Sequence, residues 1–557
     1  MTGTNATPST RRSFLGTTAA VGAGVAAGPA LGAVPAAAQA HTGPAATAAA
    51  ATDTATYIGK DSPQYGDLTR GVNQRWAGTP EWVCVPHTTA QVVAAVQKAL
   101  DSGRRPAVRG GGHCFEDFVD NADVRALIDL SALDTIAYDG ARRAISVGAG
   151  ATLGEINEQL FKRWGVAIPG GSCPTVGVGG HVSGGGYGPL NRTHGLTVDH
   201  LYAVEVVVAD ATGTARAVVA TREPEDPRRD LWWAHTGGGG GNFGIVTRYW
   251  FRTPGLGGRT PQTALPQPPA ELLVGTVLWQ WADLDERSFV RLVKNYSAWH
   301  AAHNGADDPQ RDLYSHLAAF HRSGGAVALN VQLSTAAGAD PEGRLDAFVA
   351  AVGAGVGARG VTVERRRLPW LLATQWSGFA DRPSGKRIKG KSAYHRTAFD
   401  DAQAAALHRH LTRADYDHPG SGVLIAPYGG RVNTVAPDAT ALVHRDSTLI
   451  LMYVSEWTDP AQDAQHIAFQ REFYEDVYAA TGGAPVDTAG SSTAGAYVNY
   501  ADTDLRDPSR NRSAQPWHQL YYGANYARLQ EVKARWDPRG VFRHALSVEP
   551  RAGRAPR

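Results

Sequence analysis

Three glycine-rich stretches frame the residues of this chain that could do chemistry. The first is Arg109-Gly110-Gly111-Gly112-His113. The second is Val176-Gly177-Val178-Gly179-Gly180-His181, followed by Gly184-Gly185-Gly186-Tyr187-Gly188. The third runs through Gly237–Gly241 into Asn242-Phe243-Gly244. Glycines without a Cβ let successive backbone N–H groups converge on an anion. One such run is an ordinary turn. Three in one region predict a cradle for a pyrophosphate-bearing cofactor. None has the strand–GxGxxG–helix arrangement of a dinucleotide fold, and no Lys-Ser/Thr follows to make a nucleotide-triphosphate loop. The cofactor is therefore expected outside a Rossmann fold.

Other reactive groups stand near these runs. Cys173 lies in Gly171-Ser172-Cys173-Pro174, and Tyr187 follows it by fourteen positions. Tyr500 lies in Ala496-Tyr497-Val498-Asn499-Tyr500-Ala501-Asp502. A tyrosine serves as a base only if its surroundings favour the phenolate, since a free phenol titrates near ~10. Most tyrosines are packing residues with a hydrogen-bonded tip. Read as extended backbone, the 496–502 run puts Tyr497 and Tyr500 on opposite faces. Cys84 and Cys114 read as buried structural thiols. His181, His194 and His200 lack ligand spacing, so no metal site is expected.

The elements that must position these groups are short and mixed. Trp82–Val85 reads as a strand, and Thr89–Leu100 as a helix behind a threonine cap. Pro106–Val108 and Val124–Leu130 read as further strands. Asp139-Gly140 marks a hairpin between Ile136–Tyr138 and Ala144–Val147. Thr152-x-x-Glu155 is a capping box opening a helix through Leu160. Val204–Ala209 and Ala215–Ala220 form another strand pair. A Pro/Gly-rich boundary falls at 255–269, and longer amphipathic helices follow it. Tyr526–Trp536 closes the chain as a helix stopped by Asp537-Pro538. Without regular strand–helix alternation the fold class is α+β.

The 557 residues carry 54 Lys+Arg against 52 Asp+Glu, for a net charge of +2. That balance argues against a nucleic-acid binder, which needs a basic stripe. At 43% hydrophobic and 19% charged the chain can bury a large core. Three cysteines exclude a disulfide scaffold. The N-terminus reads as a twin-arginine export signal: Arg11-Arg12-Ser13-Phe14-Leu15, an Ala/Gly-rich stretch with no charge before Asp53, and Ala38-Gln39-Ala40 at the cleavage position. Pro29 and Pro35 make this stretch a poor membrane span, so no stable membrane anchor is expected.

Four segments carry a resemblance to a known family: PAVRGGGHCFEDF (106–118), PGGSCPTVGVGGHVSGGGYG (169–188), Trp233–Thr247 and YYGANYARLQEVKARWDPRGVF (521–542). In these the chain resembles the berberine bridge enzyme-like FAD-linked oxidases of the vanillyl-alcohol oxidase superfamily, over residues 60 to 548. The export signal is expected to span 1–40, with an Ala/Thr-rich disordered linker at 41–58. The resemblance implies an FAD-binding domain of two α+β lobes at 59–255. It implies a substrate domain of antiparallel sheet covered by helices at 256–494, and a segment at 495–557 that completes the FAD domain.

Carried over residue by residue, His113 would be bonded to the flavin 8α-methyl and Cys173 to flavin C6, giving bicovalent FAD. Tyr500 would be the catalytic base and Tyr187 a second catalytic tyrosine. Arg109, Gly110, Gly111, Gly112, Gly177, Gly179 and Gly180 would line the pyrophosphate. Asn242, Phe243 and Gly244 would touch the flavin or its adenine arm, and Asn525 the ring edge. The implied function is a secreted oxidase of a sugar secondary alcohol, the terminal deoxysugar of a glycosylated polyketide such as an anthracycline. The partners are that small-molecule glycoside and molecular oxygen, and hydrogen peroxide is the by-product. A second oxidation through Tyr187 would add a C=C bond beside the new ketone. An oligosaccharide oxidase forming lactones is the second reading, and a non-catalytic flavin-containing binding protein the third.

Overall fold

The structure is a computed structural model that describes residues 55–336, 340–380 and 385–551. The export signal and most of the linker expected after it fall outside these residues. The linker also ends earlier than expected. Thr56–Gly59 is a strand, paired antiparallel with Trp82–Val85. Ile58 is buried, and Tyr57 packs edge-on against Trp82 at 5.3 Å. Four residues are too few for their alternation to stand out from the Ala/Thr-rich run before them.

Two sheets come from the first half of the chain. In the four-stranded sheet, Trp82–Val85, Val124–Asp129 and Arg105–Arg109 run parallel, with Thr56–Gly59 at the edge. The helix Thr89–Asp101 connects two of these strands, and its Thr88 cap accepts from Gln91 N–H. The five-stranded sheet is antiparallel throughout and contains the Ile136–Asp139/Ala144–Gly148 hairpin. The capping box forms as its sequence requires. Glu155 N–H donates to Thr152 Oγ1, Thr152 N–H donates to Glu155 Oε2, and the helix runs Leu153–Trp164.

The middle of the chain builds a seven-stranded, fully antiparallel sheet from strands between Glu271 and Trp457. Side chains of a strand alternate between faces. One face therefore presents Tyr314 and His316, Leu424 and Ala426, and Met452, Val454 and Glu456 toward a common cavity. The C-terminal helix Tyr526–Trp536 returns to the first half of the chain. Its buried Lys533 donates to Asn242 O and Phe542 O, each at 2.6 Å, and pairs with Asp537 at 2.6 Å. Among the described residues no helix is long and apolar enough to cross a membrane.

Candidate active site

The cavity of about 560 Å3 lies between the glycine loops and the face of the seven-stranded sheet. Residues 497–501 and 542–544 complete its wall. Arg109, Gly110, Gly111, Gly112, His113, Cys173, Gly177, Gly179, Gly180, Tyr187, Gly244 and Tyr500 all line it. The structure thus gathers twelve of the fifteen expected site residues from five separate segments.

The glycines serve close approach as well as an anion. A Cβ on Gly111 would stand 2.7 Å from Thr175 O and 2.9 Å from Gly177 Cα, so the first two glycine loops touch backbone to backbone. Gly179 N–H is engaged by Ala149 O at 3.2 Å. Glycine is needed there because a Cβ would lie 2.9 Å from that same oxygen. Arg109 lines the cavity, yet its guanidinium is committed elsewhere. It forms a buried pair with Asp129 at 3.0 Å and donates to Arg70 O and Leu68 O. It braces the loop and is not a free cation for phosphate.

His113 and Cys173 converge on one hydroxyl. His113 Nε2 is 3.0 Å and Cys173 Sγ 3.4 Å from Thr175 Oγ1. Nothing in the sequence distinguishes Thr175 from any loop threonine. Cys114 shares the cavity wall, but burial pushes its thiol up to about 12, so it stays a neutral thiol. Cys84 is buried and pushed up to about 11 for the same reason. His181 accepts from Gly171 N–H at 3.1 Å, and burial pushes it down to about 4. It is a neutral acceptor that holds the loop leading to Cys173. No group of three or more His, Cys, Asp or Glu among the described residues is arranged to hold a metal.

The two tyrosines meet. Their hydroxyls are 2.6 Å apart, and their rings are edge to face at 6.1 Å. The depressed phenol that the sequence asks of a base is not what Tyr500 shows: burial pushes it up to about 12, and the Tyr187 hydrogen bond acts to lower it. Tyr187 is raised well above an ordinary phenol, first by burial and then by its tyrosine neighbours. The bond between them favours the Tyr500 phenolate and disfavours that of Tyr187.

The opposite-face expectation for Tyr497 fails. Tyr500 N–H donates to Tyr497 O at 3.0 Å, so this run is a turn and not extended backbone. The two rings meet at 5.2 Å, and Tyr497 O–H accepts from Gly186 N–H and from Asn499 Nδ2. Across the cavity the Tyr314 hydroxyl and His316 Nε2 are hydrogen-bonded at 3.0 Å, and burial lowers that imidazole to about 4.

Three expected contact residues do not line the cavity. Asn242 is buried, donates to Gly238 O at 2.9 Å and accepts from Val548 N–H at 3.0 Å. Phe243 is fully buried beside His235. Asn525 donates to Pro437 O, Thr440 O and Ala441 O at 2.8, 3.1 and 3.3 Å. Each secures the C-terminal segment or a loop behind the cavity. Replacing Asn525 with Ala leaves those carbonyls unpaired and should cost about 1–3 kcal/mol. A denaturation midpoint should fall while the visible spectrum of the cofactor-loaded protein stays unchanged. Unaltered stability with weakened cofactor retention would return Asn525 to the binding site.

A glycine cradle outside a Rossmann fold, a histidine and a cysteine facing one threonine, and paired tyrosines opposite an antiparallel sheet are the features expected of an FAD-linked oxidase. Two family models agree: an FAD binding domain matches residues 80–216, and the berberine and berberine-like model matches 496–549. The chain belongs to the berberine bridge enzyme-like FAD-linked oxidases. It is an FAD-dependent oxidoreductase.

Its relatives are specific. The chain is 50% identical to the aclacinomycin-N/aclacinomycin-A oxidase of Streptomyces galilaeus, over 97% of this chain and 98% of that protein. The crystal structure of aclacinomycin oxidoreductase superposes with a TM-score of 0.85 at 49% identity, covering 89% of this chain and 100% of that one. A glycopeptide hexose oxidase complexed with teicoplanin superposes with a TM-score of 0.85 at 45% identity, covering 89% and 99%.

Proposed function

We propose that this chain is a bicovalently flavinylated oxidase, exported by the twin-arginine route. Its substrate would be a secondary alcohol of a sugar on a glycosylated natural product, the terminal deoxysugar of a polyketide such as an anthracycline. The observation that carries the reading is the 2.6 Å contact of the Tyr187 and Tyr500 hydroxyls in the cavity that His113 and Cys173 also line. Relatives named as oxidases of aclacinomycin and of a glycopeptide hexose support the substrate class.

The cavity fits the cofactor by its loops: two glycine runs in mutual backbone contact, with two nucleophilic side chains facing one threonine. His113 and Cys173 would hold the flavin ring. Bound FAD would supply the acceptor for a hydride from the substrate carbinol, and its two electrons, with two protons, would convert dioxygen to hydrogen peroxide. Tyr500 would take the hydroxyl proton of the substrate. Tyr187 would donate to the Tyr500 oxygen and stabilise its phenolate. The sheet face bearing Tyr314, His316 and Glu456 would receive the sugar.

Peroxide release tests the reading. The purified holoprotein is mixed in air with glycosylated polyketides, with their aglycones, and with free mono- and oligosaccharides, and the products are identified. Peroxide with a keto-sugar product is expected only for glycosides. Lactone products from free sugars would replace this reading with the oligosaccharide-oxidase one. Absence of peroxide across the whole panel would favour a binding protein.

A further inference from the structure

Charged side chains meet in the interior close to Tyr500 in sequence. Lys389 Nζ lies 3.0 Å from Glu116 Oε1, 2.7 Å from Asp502 Oδ1 and 3.2 Å from Asp504 Oδ2. Lys391 Nζ lies 2.7 Å from Asp502 Oδ2 and 2.8 Å from Asp504 Oδ2. Arg471 reaches Asp504 Oδ1 at 2.7 Å from a partly exposed position. The five side chains of the inner cluster are each no more than 5% exposed. With Arg471 the charges balance, three against three. Burying such a cluster yields little net stability, because desolvation offsets the attraction. What it can specify is one arrangement of the segments it joins.

Those segments are the ones that carry the chemistry. Glu116 stands three residues after His113, and Asp502 two residues after Tyr500. The lysines belong to the strand Arg387–His395 of the substrate-facing sheet. Asn73 repeats the connection, donating to Phe115 O at 2.8 Å and Ile388 O at 3.0 Å. Gly390, between the two lysines, leaves room for the Phe115 ring: a Cβ there would stand 2.6 Å from a ring carbon. Phe115 in turn stacks on Tyr500, with centroids 5.7 Å apart and planes within 15°. None of the five cluster residues lines the cavity.

We propose that Lys389, Lys391, Glu116, Asp502 and Asp504 are positioning residues. They lock the His113 loop, the sheet strand and the Tyr500 turn into one register, and through Phe115 they set the Tyr500 ring at its working angle. This rests on the reading of Tyr500 as the base.

Lys389→Met alone strands buried carboxylates and is expected to fold poorly. The double variant Lys389→Met/Glu116→Gln removes one charge of each sign and keeps the balance. It should fold with a full complement of FAD. Mixed anaerobically with a glycoside substrate, it should show substrate affinity within about twofold of native. Its limiting rate of flavin reduction should fall about 10- to 100-fold, the scale of a misplaced reacting group. Its crystal structure should show the Tyr187–Tyr500 hydroxyl contact lengthened or broken. A native limiting rate in the FAD-loaded double variant, or a slow rate with the tyrosine contact intact, would overturn the proposal. Tyr500→Phe run alongside separates the two claims. A native rate in that variant sinks the base itself, whereas a slow Tyr500→Phe beside a native double variant sinks only the positioning role.

Discussion

Tyr500→Phe should slow flavin reduction by a glycoside about 10²- to 10⁴-fold, the range a positioned general base contributes. The substitution removes one oxygen and leaves the ring that stacks on Phe115, so FAD content and stability should change little. The pH dependence follows from the direction of the shift. Burial raises the Tyr500 phenol to about 12, so the phenolate is the minor form at neutral pH. The rate of reduction should therefore rise with pH up to the Tyr500 ionisation. Tyr187→Phe removes the hydrogen bond that lowers this value. The rising limb should move to higher pH, with a slower rate at neutrality. A Tyr187→Phe limb displaced to lower pH would contradict the assignment of donor and base, and so would a pH-independent native rate.

Acid denaturation of His113 and Cys173 variants should give the second large effect. Native protein, precipitated in acid and washed, should remain yellow and carry the mass of one FAD. His113→Ala and Cys173→Ala should each keep one linkage and still hold the colour. The double variant should lose all of it. Both side chains face Thr175 Oγ1, and the proposed double attachment requires that they lie this close together. Release of FAD from either single variant would reduce the attachment to one bond.

Much of the scaffold was legible because it rests on local chemistry. The Thr152–Glu155 capping box, the Asp139-Gly140 hairpin and the helix behind Thr88 are each written in a few adjacent residues. The glycine loops were legible for a related reason: only glycine tolerates two backbones in contact, as at Gly111 and Gly177. What escaped depends on distant pairing. Lys389 meets Glu116 across 273 residues, and no periodicity marks that contact. Asn242 and Asn525 look like ligand donors beside glycine and aromatic runs, yet burial commits both amides to backbone. Tyr497 departs from the expected face because its backbone turns, and strand alternation does not hold in a turn. The tyrosine pair became legible only through the family resemblance, since no local signal separates Tyr187 and Tyr500 from the other buried tyrosines.

Anaerobic single-turnover mixing with a glycoside deuterated at the reacting carbinol carbon tests the central claim most directly. Bleaching of the flavin absorption should be several-fold slower with the deuterated sugar than with the protiated one. Admission of oxygen should then restore the yellow colour, with one equivalent of hydrogen peroxide and one of keto-sugar. A flavin that stays oxidised with every glycoside, or one bleached equally fast by both isotopic forms, would contradict oxidation of a sugar alcohol by removal of its carbinol hydrogen at this site.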